Sequence, residues 1–352
     1  MTENEPTKNI KTVWHRLALY LVILFPLVIL SAVMFQLTSL DEQSRWEDHN
    51  IMMQGIILQN ADRNIKVFFK RILSDMDVLL NNAQFQNYIE GLPEENIVEH
   101  TALEEEFLAL LDARQVYNQI RFIGVSGMEQ IRVDYNHGSS MVIPTDELQN
   151  KSDRYYFTES INLNADQVYF SPLDLNVEEA EIEVPYNPVI RLSAPVFTEN
   201  GERKGILVMN VFGKSIFDAA ESYSAIMNGS EFMLINNEGY WLESVTDEEE
   251  WGWMFDDKKD VTFANKYPEV WEVMQNSENG NIQTKDGLFS YATINPISTV
   301  SLKWWAVSLL PNDYLLNERK ELRSDNLSLT ILLCIAYAIF AGLITYSFTR
   351  ES

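Results

Sequence analysis

An α+β fold carried on one long helix, with a membrane-crossing helix near each end, is predicted by three observations. Two uncharged apolar runs lie near the termini, helical periodicity follows the first, and hairpins with turn residues recur along the middle. The 352-residue chain carries 26 basic and 52 acidic residues, a formal net charge of -26.

Leu17 to Leu37 is a stretch of 21 residues without a charge, and Leu327 to Phe348 is another of 22. At about 1.5 Å per helical residue, each is roughly 31 to 33 Å long, enough to cross a hydrocarbon core of about 30 Å. A buried helix of a soluble protein shows a polar face, and these runs show none. Pro26 interrupts the first, which membrane helices tolerate. That run exceeds the apolar region of a signal peptide and no small-x-small cleavage site follows it, so it reads as an anchor. Lys8, Lys11 and Arg16 before the first run and Arg350 after the second put residues 1–16 and 349–352 in the cytoplasm. Arg319, Lys320 and Arg323 on the outer flank of the second run oppose this orientation, but the first helix usually dominates. Residues 17–37 and 327–348 are thus the expected spans, and 38–326 the extracytoplasmic region of a membrane protein.

The region between the spans holds 22 basic and 49 acidic residues, a net charge of -27. Spread along the chain rather than blocked, this charge reads as a solvated acidic surface, and it repels nucleic acid and anionic lipid. Cys334, the one cysteine, lies inside the second apolar run, so the outer region holds no disulfide and no thiolate metal site. His15, His49, His100 and His137 stand singly, without zinc-site spacing. No nucleophile-elbow, phosphate-loop, dinucleotide, kinase or cyclase motif is present, so the chain is expected to be no enzyme and to need no cofactor.

After the first span, Ile65, Phe68, Phe69, Ile72, Met76, Leu79 and Leu80 recur at steps of three and four, which predicts a helix over Asp41 to Asn82. Gly91 and Pro93 end that segment, and a shorter helix follows near Glu99 to Asp112. Strands Gln119 to Val125 and Gln130 to Tyr135 flank a turn at Ser126-Gly127-Met128-Glu129. Val189 to Phe197 and Gly205 to Val211 form a second pair around Glu199-Asn200-Gly201. The order then restarts with Glu231 to Asn236, a turn at Asn237-Glu238-Gly239 and Tyr240 to Leu242. Asn281 to Thr284, Leu288 to Ile294 and Lys303 to Leu310 complete it. Two antiparallel-sheet modules, about 83–225 and about 226–311, are therefore expected. Past Pro311, nothing breaks a helix running into the second span, which would couple the last strand to the bilayer.

The densest polar and aromatic group lies in the first module: Asp153-Arg154-Tyr155-Tyr156-Phe157, then Tyr169 to Asn176, then Pro188 to Arg191. Arginine beside aromatics offers a planar fork for a carboxylate, tyrosines supply walls and hydroxyls, and Asp174 can accept from an ammonium. Arg154 and Arg191 are candidate ligand residues; equally, Arg154 could brace a loop and Arg191 pair with Glu178, Glu181 or Glu183. The aromatics of the second module, Tyr240, Trp241, Trp251, Trp253, Trp304 and Trp305, read as core.

These segments, with Glu238-Gly239-Tyr240-Trp241-Leu242 and Trp251-Gly252-Trp253-Met254, resemble the double-Cache, tandem PAS-like extracytoplasmic sensors that precede histidine kinase or diguanylate cyclase domains in bacteria. The resemblance implies a long helix used in homodimer packing, a membrane-distal module that binds a small ligand, and a proximal relay module. In the amino-acid-binding branch, an Arg-x-Trp-Tyr pattern, a later Tyr and an Asp ending a strand hold the ligand. Here Arg154, Tyr156 and Phe157 fall on the first element, Tyr169 on the second and Asn210 on the third, so the ammonium anchor is neutral unless Asp174 replaces it. The expected ligand is an amino acid, amine or carboxylate. Because only Thr349 to Ser352 follow the second span, output is expected from a kinase or cyclase partner, or from a longer form of the chain. The other reading is a membrane-anchored interaction subunit whose outer domain binds a protein.

Overall fold

The computed structural model describes residues 5–92, 97–136, 138–178, 181–221, 229–297, 300 and 302–350. Pro93 and His137 lie outside the described residues, as does the Glu178 side chain. In chain order the elements are α1 (Glu5–Leu80), α2 (Ala83–Gly91), α3 (Ile97–Arg114), β1 (Tyr117–Gly124), β2 (Glu129–Asn136), β3 (Ser139–Val142), α4 (Tyr155–Ser160), β4 (Tyr169–Phe170), β5 (Asp174–Leu175), β6 (Val177–Glu178) and β7 (Glu181–Ile182). There follow β8 (Pro188–Phe197), β9 (Arg203–Phe212), α5 (Gly213–Glu221), β10 (Glu231–Asn236), β11 (Trp241–Glu243), α6 (Phe263–Lys266), α7 (Pro268–Asn276), β12 (Asn279–Gln283), β13 (Gly287–Ile294), β14 (Trp304–Pro311) and α8 (Asn312–Arg350).

The chain divides into two compact units. One comprises Met1–Met53, Gln283–Leu288 and Leu310–Ser352, the other Gln54–Ile282 and Phe289–Leu309. In the first, α1 passes Pro26 without a break, and both Val13–Leu80 and Asn312–Phe348 are long and apolar enough to cross a membrane. The two helices run antiparallel: Arg319 pairs with Glu47 at 2.6 Å and Asn326 donates to Glu42.

Among the described residues, the second unit holds two main antiparallel sheets and a two-stranded one, β6-β7. The larger has the order β3-β2-β1-β9-β8-β4, with β5 also on β8; the smaller has the order β11-β10-β14-β13-β12. Strand alternation divides the larger sheet into two faces. Ile120 and Phe122 of β1, Leu192 of β8, and Leu207 and Met209 of β9 enter a core shared with Ile65, Phe69 and Ile72 of α1. That core also reaches Leu234, Trp304 and Ala306 of the smaller sheet, so α1 carries both. Phe85 of α2 stacks edge-on against Phe107 and Phe122, with ring centroids 6.1 and 5.4 Å away. On its other side, the smaller sheet buries Trp241, Phe263, Phe289 and Trp305 in a core of its own. The second-module aromatics are core, as their composition indicates. Gln54 of α1 ties this sheet down by donating to the Ser308 carbonyl at 3.1 Å and accepting from Ser290 at 2.8 Å.

Helices α2 and α4 to α7 and strands β3 to β7 go beyond the predicted elements. Each is nine residues or fewer, too short for periodicity alone to separate from loop.

A cleft of about 670 Å³ in this unit gathers Asp218, Glu221, Glu243, Asp247, Glu248 and Glu250, with Lys214 and Lys258. Burial first, then the charge of Glu250, pushes the Glu243 carboxyl up to about 8, and burial pushes Glu250 up to about 7. Between the ordinary carboxylate value of 4.5 and these values, the folded chain binds more protons than the unfolded one. The resulting stabilisation is complete below pH 4.5 and is lost as pH rises through 7 to 8. Thermal melts should therefore show the melting temperature falling from pH 5 to pH 8, and Glu243→Gln should flatten that slope and raise the melting temperature at pH 8. A melting temperature independent of pH over that window would contradict the assignment.

Candidate functional site

The second face of the larger sheet is polar at its centre. Registered pairs place Asp134 of β2, Gln119 of β1, Asn210 of β9 and Arg191 of β8 in one row across four strands. The next row runs from Arg132 through Arg121 and Val208 to Ser193 and Tyr169. Beyond Val208, the face turns apolar where Ile123, Ile206 and Val208 meet Tyr156 and Phe157 of α4.

A cavity of about 210 Å³ lies here, lined by Gln119, Arg121, Tyr156, Asn176, Arg191 and Asn210 and, before α4, by Gln149, Asn150, Lys151, Asp153 and Arg154. Arg121 is its centre. Its side chain is 4 % exposed, with Nη1 reaching Glu129 at 3.4 Å and Tyr156 Oη at 3.2 Å, and Nη2 reaching Asn210 Oδ1 at 3.1 Å. Its Nε is buried without an acceptor among the described residues. The guanidinium also stands 5.2 Å from the Tyr156 ring centroid. Asn210 is fixed from both sides, because it also donates to Gln119 Oε1 at 3.1 Å.

Arg191 donates to Asp174 Oδ1 at 2.9 Å, Asn176 Oδ1 at 2.9 Å and Tyr155 Oη at 3.2 Å. Burial disfavours its charge, but Tyr155 and Asp174 more than offset that, and its pKa lies above the ordinary value. Burial pushes Asp174 up, with Arg191 opposing. Arg191 thus pairs with Asp174 rather than with the glutamates weighed from sequence; Glu183 instead accepts from Asn176 and Asn187.

Arg154 takes the position before α4 with extended backbone, half-buried at the cavity, and makes no side-chain cap there. The segment leading to it is seated by Lys151 N donating to Gly127 O at 2.7 Å. Gly127 has φ +82°, and a Cβ on it would stand 2.4 Å from Ser152 Cβ, so the β1–β2 turn and this segment fit only with glycine.

Of the six residues proposed from sequence, Arg154, Tyr156, Arg191 and Asn210 come together at this cavity. Tyr169 does not. It lines a larger cleft of about 1090 Å³ with Leu173, Trp253 and Trp304, where burial first, then Tyr155, pushes its phenol up to about 12. Asp174 does not line the cavity and reaches it only through Arg191. Arg121 and Gln119 line the cavity and were missed from sequence, whereas Asn176 lines it as part of the polar and aromatic group but was not singled out. The signal was present: Gln119 and Arg121 alternate with Ile120 and Phe122, the pattern of a strand with one polar face.

The profile of the family described as bacterial histidine kinase, sensor domain, matches residues 55–304. The chain belongs to that family. Its sensor domain also resembles solved structures whose likeness shows the fold. A domain of a sensory box/GGDEF family protein from Vibrio parahaemolyticus is 21 % identical with a TM-score of 0.64, over 79 % of this chain and 99 % of that one. The extracellular domain of the histidine kinase vpHK1S-Z8 is 20 % identical with a TM-score of 0.65, over 80 % and 95 %. The ligand-binding domain of the Campylobacter jejuni chemoreceptor Tlp3, solved with L-valine, is 11 % identical with a TM-score of 0.54, over 78 % and 97 %. No curated protein sequence matches this sensor domain. Its family is a non-catalytic sensing region of kinases, in keeping with the missing catalytic motifs.

Gly127→Ala should lower the melting temperature by the equivalent of about 1 to 3 kcal/mol, because the left-handed turn and the Ser152 backbone cannot both persist. A melt superimposable on that of the parent would contradict this packing.

Proposed function

We propose that this chain is a membrane-anchored bacterial sensor, with residues 38–326 outside the cytoplasm, that binds a small solute in the Arg121 cavity and passes the signal across the membrane to a kinase or cyclase output, in the same protein or in a partner. The observation carrying the reading is convergence. Side chains from β1, β8, β9, α4 and the segment before α4 meet at one polar cavity on the sheet face turned away from the α1 core. Small-molecule sites take this form, with a few polar groups held by rigid elements.

Two features of the chain support the relay. Strand β14 ends at Pro311 and α8 begins at Asn312, with no linker to absorb displacement. Helix α1 is likewise continuous from Glu5 to Leu80. A shift of β14 on ligand binding would move α8 as a piston or a tilt. One of the solved structures it resembles is an extracellular domain, which supports placing the sensor region outside the cell, and another holds L-valine, which supports a small solute as ligand.

Arg154→Ala tests the cavity with little risk to the fold, because the side chain is half-buried and serves no cap. In a thermal-shift screen of the full chain, a small solute should raise the melting temperature of the parent, and the variant should bind it about 10- to 100-fold more weakly, the loss of one hydrogen bond to a charged group. Without ligand, the melting points should agree within the equivalent of about 0.5 kcal/mol. A solute that stabilises parent and variant equally would place the ligand elsewhere.

A further inference from the structure

The charge around the cavity runs against that of the whole chain. In a protein of net charge -26, the cavity is lined by Arg121, Lys151, Arg154 and Arg191 against one carboxylate, Asp153, which is exposed. The next carboxylates out are already engaged: Glu129 accepts from Arg121 and from the Gln149 amide at 3.0 Å, and Asp174 accepts from Arg191. Asn210 is neutral and spends both ends of its amide on Arg121 and Gln119. An ammonium group entering here would meet guanidinium groups and no free buried carboxylate.

An anion would meet the reverse. Arg121, 4 % exposed, lacks an acceptor at Nε among the described residues, and a buried donor left unpaired is costly. Arg154 lines the same cavity. Planar guanidinium forks match the two oxygens of a carboxylate. Size limits the rest of the ligand. The cavity, about 210 Å³, is below the usual range for drug-sized ligands.

We infer that the cavity takes a short-chain carboxylate bearing no ammonium group, held by the Arg121 and Arg154 guanidinium groups. Asn210 sets this preference, because an aspartate at that position would neutralise Arg121 and supply the anchor an amino acid needs. The inference rests on the reading of this cavity as the ligand site, and its test separates the two.

The full chain in nanodiscs is titrated by calorimetry with sodium acetate, propionate and pyruvate. L-Alanine, propylamine and inorganic phosphate are compared at matched ionic strength. The parent should bind at least one carboxylate tenfold or more tightly than L-alanine, propylamine or phosphate. Arg154→Gln should weaken that binding at least tenfold. Asn210→Asp, isosteric and able to pair with Arg121, should weaken it at least tenfold and shift the preference towards L-alanine. If L-alanine or propylamine binds best and Arg154→Gln abolishes it, the site stands and the carboxylate inference fails. Phosphate binding alone would overturn the inference in the same way. If no probe binds, or if neither variant changes carboxylate affinity, the inference fails and the assignment of the cavity fails with it.

Discussion

A guanidinium held out of water in the middle of a β-sheet sets the terms for the rest of the site. Arg121 is buried on the central strand β1, and removing such a charge from solvent costs several kcal/mol unless partners surround it. Glu129, Tyr156 and Asn210 supply part of that compensation. Each brings a further segment with it: Glu129 accepts from the Gln149 amide, Asn210 holds Gln119, and Tyr156 anchors α4. The segment from Gln149 to Ser160 therefore covers the polar face because that face would otherwise hold a poorly compensated charge.

The same strands do opposite work on their other side. Ile120 and Phe122, neighbours of Arg121 in sequence, enter the core around α1, together with Leu207 and Met209 opposite them. Strand alternation thus places a dry core and a charged cavity one backbone apart. Strand register cannot slip by one residue without exchanging the two faces, so folding and recognition select the same pairing. The core reached through α1 also contains residues of the smaller sheet, which places β14 and the larger sheet in one packed body.

Much of the fold was legible in local sequence. The hairpins at Ser126-Gly127 and Asn237-Glu238-Gly239 announced themselves through turn residues, and α1 through its three-four periodicity. The site was legible only in part. Arg154 and Arg191 stand out beside tyrosines, but Arg121 lies inside a run that reads simply as strand. Its role depends on β1 lying between β2 and β9, and β9 beside β8, a strand order that no local pattern encodes. Tyr169 falls outside the cavity because β4 is at the sheet edge and its ring lines the larger cleft. Asp174 reads as a free anchor in the sequence because chain order does not show that Arg191, 17 residues later, folds back onto it.

The account turns on whether the unmet donor of Arg121 belongs to a ligand. A crystal structure of the chain soaked with the tightest-binding carboxylate decides this. The account requires a carboxylate oxygen within hydrogen-bond distance of the Arg121 or Arg154 guanidinium, between β1 and the segment before α4. A ligand found instead in the cleft beside Trp304, with Arg121 satisfied by protein groups alone, would contradict it.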